Sequence, residues 1–347
     1  MKRLFIDGLG GMAQGLFATL IIGTIIQQIG LFVGGSTGDM IYAVGRVAAA
    51  LTGAGIGAGV ARKLDAGHLV IVSAAVVGMI GAFAGDLRSG ALFSDSGIVL
   101  SGPGEPLGAF VAAYVAIEIG VLISGKTKLD IILTPLVCIS AGSAVGLFVG
   151  PPISGFMSWL GSLINWGTEQ QPLVMGIVVS VLMGMILTLP ISSAALGVIL
   201  NLSGLAAGAA TVGCCCNMIG FAVASFRENG VSGFLAQGIG TSMLQVPNIV
   251  RHPQIWIPPI LSSAILGPVG TMLLHMTNNA TGSGMGTAGL VGPLMTWQVM
   301  SQTEQGLIVL IKIIVIQFIL PAVVTLLISE FMRKRRWIHP GDMKLEL

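Results

Sequence analysis

Charge is what this sequence has least of: only 9% of its 347 residues are Asp, Glu, Lys or Arg, against about a quarter in soluble domains. With 54% of residues apolar and a mean hydropathy of +0.94, a water-soluble globular enzyme is excluded. The formal net charge of +2 removes two further classes, since a disordered chain needs low hydrophobicity with high net charge and a nucleic-acid partner wants a basic face. Histidine is scarce as well. The four histidines form no H-E-x-x-H or paired arrangement, and there is no phosphate-binding loop of the P-loop type. Hydrolase, kinase and zinc constellations are therefore missing, and no catalytic residue, cofactor or metal is expected. The cysteines, Cys138 and the run Cys214, Cys215 and Cys216, lack disulfide-framework or zinc spacing. Three consecutive helical residues point in three directions, so they read as small packing residues.

What the chain does have is 51 glycines and long apolar runs. A spanning helix needs about 20 mostly apolar residues, and such stretches lie at 9–33, 40–61, 67–85, 106–124, 129–149, 172–189, 204–225, 254–275 and 306–329. They predict an all-α polytopic membrane protein of about ten transmembrane helices. Lys2 and Arg3 lead into the first stretch without a small-residue cleavage pattern, which predicts a retained helix and not a signal peptide. Between the stretches lie shorter pieces rich in Gly, Ser, Thr and Pro, at 152–165, 190–203, 231–249 and 283–300. Irregular backbone survives at membrane depth only where protein or a wet cavity satisfies it, so these pieces predict re-entrant hairpins and a site built from them.

Basic residues set the orientation. Lys2 and Arg3, Arg62 and Lys63, Lys126 and Lys128, and the cluster Arg333, Lys334, Arg335 and Arg336 predict cytoplasmic N- and C-termini. The connections 34–39 and 86–105, with Asp39, Asp86, Asp95 and Glu105, then face outward. The path through 190–230 stays open, because Arg227 falls outside unless 190–203 adds a crossing or a partial one. Composition predicts three parts: a Gly- and Ala-rich half at 1–149 that reads as scaffold or oligomer contact, a working half at 150–332 that holds most prolines and broken segments and would bind the substrate, and a basic cytoplasmic tail at 333–347. Glycines such as Gly53, Gly55, Gly57 and Gly59 permit close helix approach.

Within spans, Arg46, Glu118 and Lys312 are costly charges; the two cations sit near enough to span ends to snorkel, and Glu118 invites a cationic partner or a proton-carrying role. His275 closes a span at the interface. Glu105 and Pro106 read as a helix start. The segment 278–289 contains Gly284-x-Gly286-x-x-Gly289, but the preceding strand and following acidic residue of a dinucleotide site are absent. Its glycines instead permit tight turns, while Asn278, Asn279, Thr281, Ser283 and Thr287 offer neutral hydrogen-bonding groups to a polar solute. A plain structural hairpin tip fits the same residues.

The run Phe221-Ala222-Val223-Ala224-Ser225, then Gly238-Ile239-Gly240-Thr241-Ser242, Pro247, and His252-Pro253-Gln254-Ile255-Trp256-Ile257-Pro258 resembles the membrane component, enzyme IIC, of bacterial phosphotransferase-system sugar transporters. There a Gly-Ile-Thr-Glu-Pro motif precedes an Asn-Pro-x-x-Phe-Ile-Pro segment. Gly150-Pro151-Pro152-Ile153 is similar to that family's Gly-Pro-Ile and amphipathic helix. The stretch Asn278–Gly292 resembles a divergent stand-alone branch that includes the perfringolysin O regulator. The resemblance implies an enzyme IIC-like fold with two re-entrant hairpins, a homodimer, an elevator-like motion, a bacterial inner-membrane location and cytoplasmic phosphotransferase subunits as partners.

In that alignment the family's sugar-contacting glutamate falls on Thr241 and its proline on Ser242. Its Gly-Leu-His stretch falls on Leu189-Pro190-Ile191-Ser192, without histidine. A threonine hydroxyl cannot serve as a general base near neutral pH, so transport of a small polar, sugar-like solute is expected without phosphorylation. The solute would be held by Thr241, Ser242, Gln245, Asn278, Asn279 and Thr287, with His252 near the cytoplasmic mouth. Two alternatives stand beside this: a membrane sensor or regulator that keeps the fold, and a true phosphotransferase sugar permease.

Overall fold

The computed structural model describes residues 3–94, 97–100 and 102–345, so Lys2 and Asp95 lie outside the described residues. Among these residues the only strands are the two-residue pair Phe93–Ser94 and Gly97–Ile98, and helix dominates elsewhere. Six helices are long and apolar enough to cross a bilayer: Leu9–Val33, Pro106–Ile123, Asp130–Ile153, Gly204–Ala224, Pro253–Leu273 and Gly306–Lys334. A seventh span is available if Gly35–Ala50 and Thr52–Lys63, bent by 51° at Leu51, count as one. The apolar runs at 67–85 and 172–189 form shorter helices, His68–Ala82 and Pro172–Thr188.

Two broken segments differ from expectation. Residues 152–165 do not stand apart from the span before them: one helix of 39 residues, Asp130–Thr168, runs through Pro135, Pro151 and Pro152. A proline removes one helical hydrogen bond, yet its fixed φ near −65° is itself helical. At 190–203 there is only the seven-residue helix Ser193–Ile199, about 10 Å long, which adds no crossing.

The chain divides into two compact units, Met1–Ser158 and Trp159–Leu347. The first is held by glycines set on backbone. A Cβ on Gly53 would sit 2.6 Å from the Gly78 carbonyl oxygen, and one on Gly57 would run into the Ala74 carbonyl; one on Gly55 would lie 2.8 Å from the Gly15 carbonyl, and one on Gly59 would run into that of Gly11. Residues four apart share a helix face, so the alternating glycines of Thr52–Lys63 make two bare stripes, each against a different neighbour. Gly57→Val should cost about 1–3 kcal/mol, the usual cost of overpacking, read as a lower melting temperature in detergent. Glu118 gains its cation here, with Arg3 Nε at 3.3 Å from its Oε1. Glu105 caps the helix Pro106–Ile123 by accepting from Leu107 N at 3.4 Å, and Arg46 is exposed.

The second unit is organised around the helix Gly204–Ala224, in which every residue from Ala207 to Ala222 is buried. Helices Pro172–Thr188, Ile257–Pro268 and Leu320–Lys334 pack on it. The approach is close because Gly213 lies against the Ser180 carbonyl and Gly184 against the Asn217 amide, with no room for a Cβ at either glycine. Two irregular arms complete the unit. The first, 226–251, kinks at Gly230 (φ 59°), passes through a π-helical turn at Ala236–Gly240, an extended Thr241 and a 3-10 turn at Ser242–Gln245, and ends in the helix Val246–Arg251. The second, 274–300, carries the four-residue turn Ala280–Ser283 and the helix Val291–Met300. At the start of the last span, Lys312 Nζ meets both carboxylate oxygens of Glu304, at 2.9 and 2.7 Å, so its charge is anchored locally.

Candidate functional site

The two arms meet on the central helix. Thr287 Oγ1 donates to the Gly238 carbonyl at 2.5 Å, which joins the tip of the second arm to that of the first, and it also lies 3.5 Å from Met218 Sδ. Glycine makes the contact with the central helix. A Cβ on Gly286, itself at φ 51°, would lie 2.8 Å from Cys214 Cβ, and one on Gly208 would run into the Met276 carbonyl. The Gly-x-Gly-x-x-Gly pattern therefore serves close approach of protein to protein. All four cysteines are buried packing residues.

Beside this junction lies a neutral polar cluster centred on Asn217, about two-thirds of the way along the central helix Gly204–Ala224. Its Oδ1 accepts from Thr188 Oγ1 at 3.2 Å and from Trp256 Nε1 at 3.1 Å, and its Nδ2 donates to the Gly213 carbonyl at 3.2 Å and to Ser263 Oγ at 3.3 Å. Thr188 and Ser242 hydroxyls lie 2.8 Å apart. Two donors and two acceptor sites exhaust what a carboxamide offers. The amide is thus fully bonded in a region where an unmet polar group would be costly.

The seven residues expected from sequence fall into three places. Ser242 joins the Asn217 cluster, Thr287 bridges the arm tips next to it, and Thr241 turns the chain there by accepting from Met243 N at 3.1 Å. Asn278 and Asn279 lie at the base of the second arm. Asn278 Nδ2 lies 2.7 Å from Thr211 Oγ1, 3.0 Å from Thr296 Oγ1 and 3.2 Å from the Gly292 carbonyl, while Asn279 caps the short turn by accepting from Gly282 N at 2.9 Å. Thr281 is exposed, and Ser283 bonds back to the Ala280 carbonyl. Gln245 and His252 face the C-terminal segment instead: Gln245 Nε2 donates to the Met343 carbonyl at 3.0 Å, and His252 Nε2 lies 3.7 Å from Asp342 Oδ1. His252 also lines a cleft of about 330 Å³ with Asn248, Arg251, Gly341, Lys344 and Leu345.

Sequence reasoning missed Asn217, Thr188, Trp256, Thr211, Thr296 and Gln317, the last donating to Thr296 Oγ1 at 2.9 Å. Charges inside spans are the residues that the sequence marks as costly. Counting neutral amides in the same way would have found Asn217 and Gln317, since each faces the same bonding requirement in an apolar run.

A helical membrane protein whose interrupted arms close on a buried, uncharged polar cluster is the class that fold and site define. Residues 6–345 match the family described as Phosphotransferase system, EIIC, and the chain belongs to that family. It is a multi-pass membrane component of a phosphotransferase-type transporter. A comparison with curated proteins finds no match.

Proposed function

We propose that the chain carries a small, uncharged, sugar-like solute across the bacterial inner membrane without phosphorylating it. The observation behind this reading is the cluster of Asn217, Thr188, Ser242, Ser263 and Trp256 under the arm tips. Amides and hydroxyls beside an indole suit a polyhydroxylated, neutral ligand. A charged solute would find no counter-ion among the residues bonded in this cluster. At the position of the family's glutamate, the Thr241 hydroxyl is committed to Met243 N, and a hydroxyl is no general base at neutral pH. Thr241, Ser242 and Thr287 would lie on the solute's side of the junction, with Asn278 and Asn279 setting the second arm and Gln245 and His252 lining the exit. A homodimer, cytoplasmic termini and an elevator-like displacement of the second unit complete the proposal, on family resemblance.

Flux of labelled monosaccharides into proteoliposomes tests it. Uptake without a phosphoryl donor, falling about five- to tenfold in Ser242→Ala or Thr188→Val, is the expected result, as each change removes a hydrogen bond worth about 1–1.5 kcal/mol. Sugar phosphate formed only with a donor subunit would assign the chain to phosphorylating permeases, and absence of flux for every neutral solute would favour a sensor.

A further inference from the structure

The C-terminal segment does not hang free after the last span. The chain turns back at Arg336 (φ 60°) and again at Gly341 (φ 96°), and lays residues 343–345 along the first arm. There the side chains of the arm read the backbone of that segment. Met343 N donates to Glu228 Oε2 at 2.9 Å, and Leu345 N to Asn229 Oδ1 at 2.8 Å. The Met343 carbonyl accepts from Asn229 Nδ2 at 2.9 Å and from Gln245 Nε2 at 3.0 Å, and the Lys344 carbonyl from Asn248 Nδ2 at 2.9 Å.

Met343 lies in a turn in which Lys344 N donates to the Gly341 carbonyl at 3.1 Å, and the turn sets successive side chains on different sides. Met343 and Leu345 are buried and Lys344 is exposed between them. Met343 and Ile338 pack with Phe221, Ala224, Ile249 and Ile255. The four arm residues that read the backbone come from both limbs of the arm: Glu228 and Asn229 precede the kink at Gly230, whereas Gln245 and Asn248 follow the tip. One carbonyl, that of Met343, accepts from both limbs. Behind it an amide relay runs from Asn248 to Gln245 Oε1 at 2.8 Å, from Gln245 to Gln237 Oε1 at 2.8 Å, and from Gln237 to Ser225 Oγ at 2.9 Å.

We infer that this side of the arm is a docking groove for a turned apolar-x-apolar peptide, and that the chain's own residues 343–345 occupy it as a releasable latch that staples the two limbs. Hydrogen bonds to a peptide's main chain give affinity, and pockets for particular side chains give specificity. The contacts are held by side chains on an irregular stretch, and such stretches open more readily than the regular helices around them. Gly238, Thr241 and Ser242 ride on the stapled arm, so release would loosen the junction with Thr287. That consequence for solute access rests on the function proposed above; the docking itself does not.

A chain ending at Arg336, purified in detergent, should bind a labelled, amidated peptide of residues 337–345 saturably, measured by fluorescence anisotropy. The full chain should bind it at least tenfold more weakly, because its groove is filled. A peptide carrying Met343→Asp should bind the shortened chain at least tenfold more weakly than the parent peptide. Equal binding to both chains, or no binding to a shortened chain of unaltered helicity, overturns the inference. Should the shortened chain fail to fold, hydrogen exchange in full-length Met343→Asp decides: amides of 226–251 should exchange at least tenfold faster while those of 68–82 are unchanged, and unaltered exchange at 226–251 overturns it. Neither readout involves a solute, so failure here is separable from failure of the transport reading.

Discussion

Asn217→Leu should lower solute uptake by about 100-fold, the equivalent of losing two hydrogen bonds of about 1.4 kcal/mol each. Leucine keeps the helix and asparagine's branched outline, although its methyl groups are bulkier than the amide they replace. Trp256 Nε1 loses the oxygen it donates to, at 3.1 Å in the parent protein, while Thr188 retains the Gly184 carbonyl and Ser242. The stability cost is that of one orphaned, part-buried donor, about 1–3 kcal/mol, with overpacking added to it. Thermal unfolding in detergent measures this part, and flux in proteoliposomes measures the rest. Uptake within twofold of the parent protein would remove Asn217 from the site.

Arg333→Met should be the most destabilising of the changes considered, by about 3–5 kcal/mol, because it leaves a buried carboxylate uncompensated. Arg333 Nη2 lies 2.9 Å from Glu228 Oε1 and donates to the Ala224 carbonyl at 3.1 Å; the two side chains are only 13% and 9% exposed. The double variant Glu228→Gln with Arg333→Met should recover most of the loss, since no buried charge then remains. Chemical denaturation of the single and double variants, compared as a cycle, checks the prediction. By contrast Lys312 and Glu304, paired near a helix end and 19% and 31% exposed, belong among pairs that contribute little.

The sequence made the helices legible because apolar length is a local property. All nine apolar runs are helical, and the close approach expected of Gly53, Gly55, Gly57 and Gly59 is present. The helix start at Glu105 and Pro106 was equally readable, since a cap depends on residues two apart. Contacts across the fold were less so. Nothing local says that Thr287 will find the carbonyl of Gly238, 49 residues earlier, or that Asn217 will collect Thr188 and Trp256 from two other helices. The basic cluster at the end of the last span shows the same limit. Arg333 to Arg336 look like a solvated basic cluster, yet Arg333 is drawn inward by Glu228, more than a hundred positions away. Charge runs announce their sign and not their partners.

The saturation of Asn217 carries a thermodynamic consequence. A guest entering that region cannot simply add contacts, because each donor and acceptor of the amide already has a mate. It must exchange bond for bond, so the net gain per contact is small and selection falls on the number and spacing of the guest's own polar groups. Such a pocket would discriminate by stereochemistry while holding its cargo loosely, and weak retention is what a carrier needs in order to let go.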